Sequence, residues 1–319
     1  MGITSHRTVL TTTPADTAQQ KAMQEVARTI LETPIGGRLP NISQMRANVG
    51  VGAGTMQKAI QEIQQSGKVE LSSKQRQGTI LMNRKIGALW STANLSPLTV
   101  LLPLPNSWEF QGLATGLRRE IQDRGIPTTF LYGHGSRQRI EALRSGAAQV
   151  SVMSNGAAQH WTKTDTELVT HTVLPSGSYY AAESVLVMAR EPRDQLPKEL
   201  RIGIDRQSTD HAWLTEMEFP KHQYVDVSYA QIPSALTRGI IDAAVWHRTA
   251  LGLSLDDQGL VAWPLERSDA LQLSDDISST GLVIHSIDAV TREVLSEMNI
   301  DKVDSLQRGV VAGDVLPLY

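Results

Sequence analysis

Two sets of side chains in this 319-residue sequence have types and spacings that do chemistry. The first lies in a short N-terminal stretch: Arg38, Ser43, Thr55, Gln57, Lys58, Lys74, Arg76 and Gly78. Guanidinium, ammonium and hydroxyl groups hold phosphates, and a carboxamide such as Gln57 matches the N6/N7 edge of adenine. The second set is spread over the remainder: Ser107, Trp108, Glu109, Ser136, Ser154, Asn155, Tyr179, Asp205, Ser208, Asp210, Trp213 and Trp246. Serines at helix starts, with free backbone N–H groups beside them, suit a carboxylate, phosphate or polar hydroxyl. Indole rings give flat apolar walls with one donor. Each of these has a plainer alternative: N-capping for the serines, a packed core or hinge for the tryptophans, and edge-strand packing for Tyr179-Tyr180.

Other chemistry is excluded or unsupported. Cysteine is absent, so disulfides, thiolate metal sites and cysteine nucleophiles are impossible. The eight histidines are scattered, and none falls in H-x-x-x-H or H-E-x-x-H spacing. No Gly-x-Ser-x-Gly is present. The glycines of Gly50-Val51-Gly52-Ala53-Gly54 have the density of a phosphate cradle but follow no strand. The carboxylate pairs Asp256-Asp257 and Asp275-Asp276 sit in loop-like contexts where capping or solvation is the common role. The expectation is a protein with no catalytic residues, no metal and no cofactor.

The first set needs helices at fixed angles to position it. Ala22, Met23, Val26, Ala27 and Ile30 recur at helical spacing, and Gly36-Gly37 breaks that helix. Ser43 is placed to cap a short second helix burying Met45 and Val49, and Gly50-Val51-Gly52 makes a turn. A third helix opens near Gly54-Thr55, buries Met56, Ala59, Ile60 and Ile63, and stops at Gly67. Val69 and Leu71, then Ile80 and Met82, form two alternating strands around a polar tip carrying Lys74 and Arg76. Residues 1–83 are thus expected to be a winged helix-turn-helix, its third helix facing the major groove. Charge partition agrees: residues 1–85 hold 11 Lys and Arg against 5 Asp and Glu, a net of +6, whereas residues 86–319 hold 19 against 28, a net of −9. A basic head on an acidic body concentrates counterion release in one domain.

Residues 84–97 lose periodicity and read as a linker. From 98 the chain alternates: strand 98–104, helix 110–124, strand 128–132, helix 137–145 and strand 148–153, then a second series of strand 200–204, helix 210–217, strand 224–227, helix 232–238 and strand 241–246. Alternation of this kind makes mostly parallel sheets flanked by helices. Residues 98–319 are expected to be a two-lobed effector-binding domain, with lobe 1 about 98–187 plus 281–319 and lobe 2 about 190–278. Segments 184–189 and 281–285 serve as crossing and return. In such lobes ligands sit beyond the carboxyl ends of the strands, where the second set of residues falls.

The N-terminal pattern resembles the DNA-binding domain of GntR-type bacterial regulators, through Arg38-Leu39-Pro40, Gly54-Thr55, Ala59-Ile60, Gly67 and Gly78-Thr79. It departs from that pattern where Ser43, Ala53 and Gln57 replace the usual arginines. The body is similar to the type II periplasmic-binding-protein fold, through Gly239-Ile240-Ile241-Asp242-Ala243-Ala244-Val245-Trp246 and its counterpart in segment 145–152. In domain order the chain resembles YhfZ-type regulators of the GntR-like group. This resemblance implies an α/β fold with a small α+β winged helix followed by a two-lobed clamshell. It also implies a cytoplasmic homodimer that binds double-stranded DNA and a small polar or anionic metabolite and has no membrane partner. No apolar run spans a bilayer, and the N-terminus lacks the apolar core of an export signal. Two rivals stay open: an interaction module whose winged helix does not bind DNA, and an enzyme built on the clamshell.

Overall fold

The computed structural model describes residues 17–74, 78–248, 255 and 258–318. Its contacts divide into two compact units, one of Met1–Thr99, Arg119–Thr129 and Ser286–Met298, the other of Val100–Arg118, Phe130–His285 and Asn299–Tyr319. By contacts, segments 119–129 and 286–298 group with the N-terminal residues, which a division at 83 and 98 does not anticipate.

In the first unit, α1 (Ala18–Glu32) starts at a capping box of Thr17 and Gln20 and buries Ala22, Val26, Ala27 and Ile30 along one stripe. Helix α2 (Ile42–Val49) is capped by Asn41 and not by Ser43. Asn41 Oδ1 accepts from Gln44 N at 2.9 Å and Gln44 Oε1 accepts from Asn41 N at 2.9 Å, so the reciprocal Asn-x-x-Gln pair outcompetes a lone serine two residues later. Gly50 then ends α2 at φ +67° and Gly52 opens α3 (Ala53–Gln65), whose Met56, Ala59 and Ile63 are wholly buried. Strands β1 (Val69–Lys74) and β2 (Gly78–Arg84) pair antiparallel. Leu39 N donates to Thr79 O and Leu81 N to Gly37 O, each at 2.9 Å, so the segment before α2 adds a third edge to the ribbon. This is a winged helix-turn-helix.

The expected linker is partly structure: α4 (Ile86–Thr92) buries Ile86, Leu89 and Trp90. Polar residues after it suggest a linker, but the apolar residues at helical spacing win. Gly87 is required there, since a Cβ would lie 2.4 Å from Gly125 O.

The body begins with β3 (Leu98–Leu102), α5 (Trp108–Asp123), β4 (Thr128–Tyr132), α6 (Gly135–Arg144), β5 (Val150–Ser154), α7 (Asn155–Thr164) and β6 (Leu168–Val173). It continues with β7 (Val185–Ala189), β8 (Arg201–Ile204), α8 (Thr209–Glu218), β9 (Gln223–Asp226), α9 (Ile232–Thr237), β10 (Ala243–His247), β11 (Val261–Pro264) and α10 (Ser268–Asp276). The chain ends in β12 (Thr280–His285), α11 (Ala289–Ser296) and α12 (Ile300–Ala312). Two five-stranded sheets result, in the orders β4-β3-β5-β12-β6 and β9-β8-β10-β7-β11. Numbered within its own lobe, each sheet runs second, first, third, then the strand contributed by a crossing, then an edge. The crossing strands β12 and β7 are antiparallel to both their neighbours. Strands β5, β7 and β10 are buried at every position, as central strands covered on both faces must be.

This is a two-lobed clamshell of the periplasmic-binding-protein type. The lobe boundary shifts, however. All of β7 lies in the second sheet, whereas a limit at 187 cuts it; its uniform apolarity marks a central strand without saying of which sheet. The chain crosses between lobes at 174–184 and 277–279. These crossings are pinned together by Tyr179 N to Ser278 O at 2.8 Å and Thr280 N to Ser178 Oγ at 2.9 Å.

Within the first unit, Arg84 has a side chain only 1 % exposed. Its Nη1 donates to the carbonyls of Ile30, Leu31 and Thr33 at 2.7, 3.0 and 2.6 Å, satisfying the open C-terminal end of α1. Its other nitrogens bind Glu297 at 2.7 Å and Glu293 at 3.3 Å, on and just beyond α11. One guanidinium thus joins the end of the first helix to the segment that directly follows β12.

Candidate nucleic-acid interface and ligand cleft

On the head, the outer side of α3 exposes Gln57, Lys58 and Gln61, with Thr55 half-buried in the first turn. Lys58 Nζ lies 3.8 Å from Glu62 Oε1, an exposed i,i+4 pair of small energetic weight. Arg38 is exposed and its guanidinium lies over Gly78, where a Cβ would come within 2.6 Å of Nε. Gly78 also holds φ +77°, so it is needed both for the turn and for the arginine. Ser43 is exposed on α2. Lys74 ends β1, and Arg76 lies outside the described residues. The structure therefore brings Arg38 and Gly78 together, and sets Thr55, Gln57 and Lys58 along one helix.

In the body, loops beyond the carboxyl ends of the strands of the two lobes meet. Ser136 Oγ and Thr209 Oγ1 are 2.7 Å apart, Ser154 Oγ donates to Asp210 Oδ1 at 2.7 Å, and His134 Nε2 is 2.5 Å from Asp205 Oδ2. A looser pair, Glu109 Oε2 and His247 Nε2 at 3.8 Å, lies deeper. Each pair joins one lobe to the other. The backbones also touch: at Gly135, φ +66°, a Cβ would lie 2.2 Å from Gln207 O. A cavity of about 50 Å³ remains beside them, lined by Phe110, Arg139, Tyr179, Tyr180, Ser208 and Tyr229 among others. That is room for a few waters and too little for an organic molecule while the lobes keep these contacts. A larger groove of about 510 Å³ runs along α1 and α2 of the head, but it is lined mainly by exposed residues, and the Thr33 hydroxyl among its buried ones is already spent on Thr29 O at 2.7 Å.

Several residues of the second set take the plainer role. Ser107 accepts from Phe110 N at 3.2 Å as an N-cap, and Ser154 caps Ala157 N at 3.1 Å while also binding Asp210. Asn155 starts α7, half-buried, with its N–H on Ser279 O at 2.8 Å. Trp108, expected as a cleft wall, is 45 % exposed at the first position of α5 and does not line the cavity. Trp213 packs edge-on against His160 at 5.1 Å. Trp246 stacks on Tyr229 at 4.4 Å and so backs the cavity at one remove. Asp276 accepts from Gln272 at 3.3 Å at the end of α10, and Asp256 and Asp257 lie outside the described residues.

Electrostatics follow burial. Burial raises Asp210 to about 6 against the opposing pull of the Ser154 hydroxyl and the Arg139 charge. For Asp205 burial pushes upward too, but the His134 ring and the backbone N–H groups of Tyr229 and Gln207 outweigh it and hold the carboxyl below its ordinary value. Burial drives His211 and His247 down to about 4, so both are neutral near pH 7, and lifts Tyr179 to about 12. His211 accepts from Asp205 N at 3.0 Å and bonds Val245 O at 3.1 Å, which assigns its proton to Nε2.

Sequence reasoning placed the His134 loop and Tyr180 at the cleft but missed Arg139, Phe110 and Tyr229 as cavity residues. A signal for one of them was present. Ser136, Arg139, Ile140 and Leu143 fall at i, i+3, i+4 and i+7, and all are buried, so Arg139 is a charge on the apolar stripe of α6.

Comparison with known proteins follows this geometry. A family model described as YhfZ C-terminal domain matches residues 86–319, and one described as helix-turn-helix domain matches residues 34–81. The chain is 26 % identical over 304 residues to the protein YhfZ of Escherichia coli strain K12, covering 92 % of this chain and 95 % of that one. It is 24 % identical to the crystal structure of YhfZ from Shigella flexneri, with a TM-score of 0.57 over 73 % of this chain and 97 % of the other. A helix-turn-helix followed by a two-lobed effector-binding type of body is the composition of a regulator with a ligand-binding domain.

Proposed function

Since the chain belongs to the YhfZ C-terminal domain family and carries a helix-turn-helix ahead of it, we propose that it is a cytoplasmic, GntR-like transcription regulator. In this reading it binds operator DNA as a dimer and senses a small polar or anionic metabolite in the cleft. The observation that carries the proposal is the pairing, in one chain, of an exposed polar recognition-helix side with a clamshell whose facing loops touch across a cleft. Contacts to DNA would come from Thr55, Gln57 and Lys58 on α3, from Ser43 on α2, and from Arg38, Lys74, Arg76 and Gly78 about the wing.

Glutamines dominate the exposed side of α3, at 57, 61, 64 and 65, and amides bind adenine N6/N7 in a bidentate manner. Operators rich in A·T pairs are therefore favoured. Entry of ligand would separate the Ser136·Thr209, Ser154·Asp210 and His134·Asp205 pairs and change the lobe angle. Segment 286–298, which follows β12 and meets Arg84, is the covalent route by which such a change reaches the end of α1.

The test is fluorescence anisotropy of the full chain on duplexes selected from a random pool, over a range of salt. Log affinity should fall linearly with log salt, and Lys58→Ala should lower the slope by about one if that ammonium meets a phosphate. A second reading, an interaction module without DNA binding, draws on one observation: α3 offers a single lysine, already beside Glu62. Absence of salt-sensitive DNA binding would favour it.

A further inference from the structure

Arg139 narrows the chemistry of the cleft's ligand, an inference that rests on the cleft being a ligand site. The residue is only 3 % exposed and lines the cavity. Its Nη1 donates to Gly133 O at 2.9 Å and its Nη2 to Tyr179 Oη at 3.2 Å, while Nε has no hydrogen-bond partner. Both partners are neutral oxygens, and among the described residues no carboxylate comes within ion-pair distance of the guanidinium. Asp210 feels the charge, but its Oδ1 accepts from Ser154 Oγ. A guanidinium held this deep without a carboxylate leaves most of its desolvation cost unanswered, and its planar fork matches a carboxylate.

Charge and walls limit the class further. Of the cavity-lining side chains, His134 is already engaged by Asp205, so Arg139 is the one cation there left to meet an anion. One fixed positive charge balances a monoanion and undercompensates a phosphate dianion. The remaining walls are largely apolar or aromatic: Pro103, Leu104, Phe110, Tyr180 and Tyr229. Phe110, Tyr179 and Tyr180 form one cluster, with ring centroids 4.8 to 6.1 Å apart, that seats a flat or branched apolar group.

We propose that the cleft binds an organic monocarboxylate with an apolar or aromatic body, its carboxylate on Arg139 and its body among Phe110, Tyr180 and Tyr229. Hydrogen bonds between a charged pair of this kind correspond to a loss of about 10- to 100-fold in affinity when the cation is removed.

The test is calorimetric titration of the full chain, without DNA, with acetate, isovalerate, benzoate, phenylacetate and indoleacetate at up to millimolar concentration. Phenylacetamide, phenyl phosphate and inorganic phosphate serve as controls. At least one carboxylate with an apolar body should bind, and bind at least tenfold more tightly than acetate, phenylacetamide and the phosphates. Arg139→Gln should lose that binding and Arg139→Lys should keep part of it, with far-ultraviolet circular dichroism unchanged in both. Equal binding of the neutral amide, tighter binding of a phosphate, undiminished binding by Arg139→Gln or no binding by any carboxylate overturns the proposal. Because the readout contains no DNA, failure here leaves the DNA-binding reading standing, and failure of DNA binding leaves this one standing.

Discussion

Replacing Asp210 by asparagine isolates one term of the interlobe seam. The asparagine carbonyl keeps the acceptor for Ser154 Oγ, now at 2.7 Å from Asp210 Oδ1, and the substitution removes the charge while replacing Oδ2 by an amide NH2. Burial raises the Asp210 pKa from 3.8 in the unfolded chain to about 6 in the fold. A raised acid pKa contributes stability that is fully present below pH 3.8 and is lost as pH rises through about 6. At 1.36 kcal/mol per pKa unit, the gap between 3.8 and about 6 makes the ionised carboxylate cost about 3 kcal/mol above pH 7. The assay is urea unfolding followed by tryptophan fluorescence, which reports chiefly on the body because five of the six tryptophans follow residue 99. Asp210→Asn minus wild type should be small near pH 4 and should grow toward about 3 kcal/mol in favour of the variant by pH 8. His211 and His247, depressed to about 4, act the other way, their stability being lost as pH falls from 6.5 toward 4. They are common to both proteins and cancel in the difference. A difference that does not change with pH would refute the burial argument for Asp210.

Two further substitutions test the head and its anchor. Arg84→Leu removes a buried cation from three carbonyls, takes the arginine from Glu293 and leaves Glu297 only its longer pair with Arg124 at 3.8 Å, so thermal unfolding should show a loss of about 3 to 5 kcal/mol, with Trp90 reporting on the first unit. Gly78→Ala, at φ +77° and with its new Cβ 2.6 Å from Arg38 Nε, should cost about 1 to 2 kcal/mol of stability and displace Arg38, which a fall in DNA affinity at unchanged helix content would reveal.

Much of the architecture is legible in the sequence because it rests on periodicity. Met56, Ala59 and Ile63 fall one helical turn apart and are buried as that spacing demands, and Gly50 takes the left-handed turn between two helices. Domain limits are less legible. Residues 86–92 read as linker because the polar stretch after them dominates the composition, yet Leu89 and Trp90 find a core. The association of segments 119–129 and 286–298 with the N-terminal residues is a non-local contact that no window of sequence contains.

The cleft loops are found by the rule that sites lie beyond the carboxyl ends of strands, which brings Ser136, Ser154, Asp205 and Asp210 to one seam. What local reasoning could not tell is that these groups satisfy one another across the lobes. Arg139 escaped notice because cations on helices are usually taken as solvated, although its place on the stripe of Ile140 and Leu143 contradicts that habit.

The central claim is that the state of the cleft sets the affinity of the head for DNA. It is tested most directly by Gly135→Val, since any Cβ at that position would lie 2.2 Å from Gln207 O and so holds the lobes apart. Anisotropy on the selected duplex, with small-angle scattering to verify lobe separation, should show DNA affinity changed by about tenfold, the scale of an ordinary coupling between sites. Unchanged DNA affinity in a variant whose lobes are demonstrably parted would contradict the account.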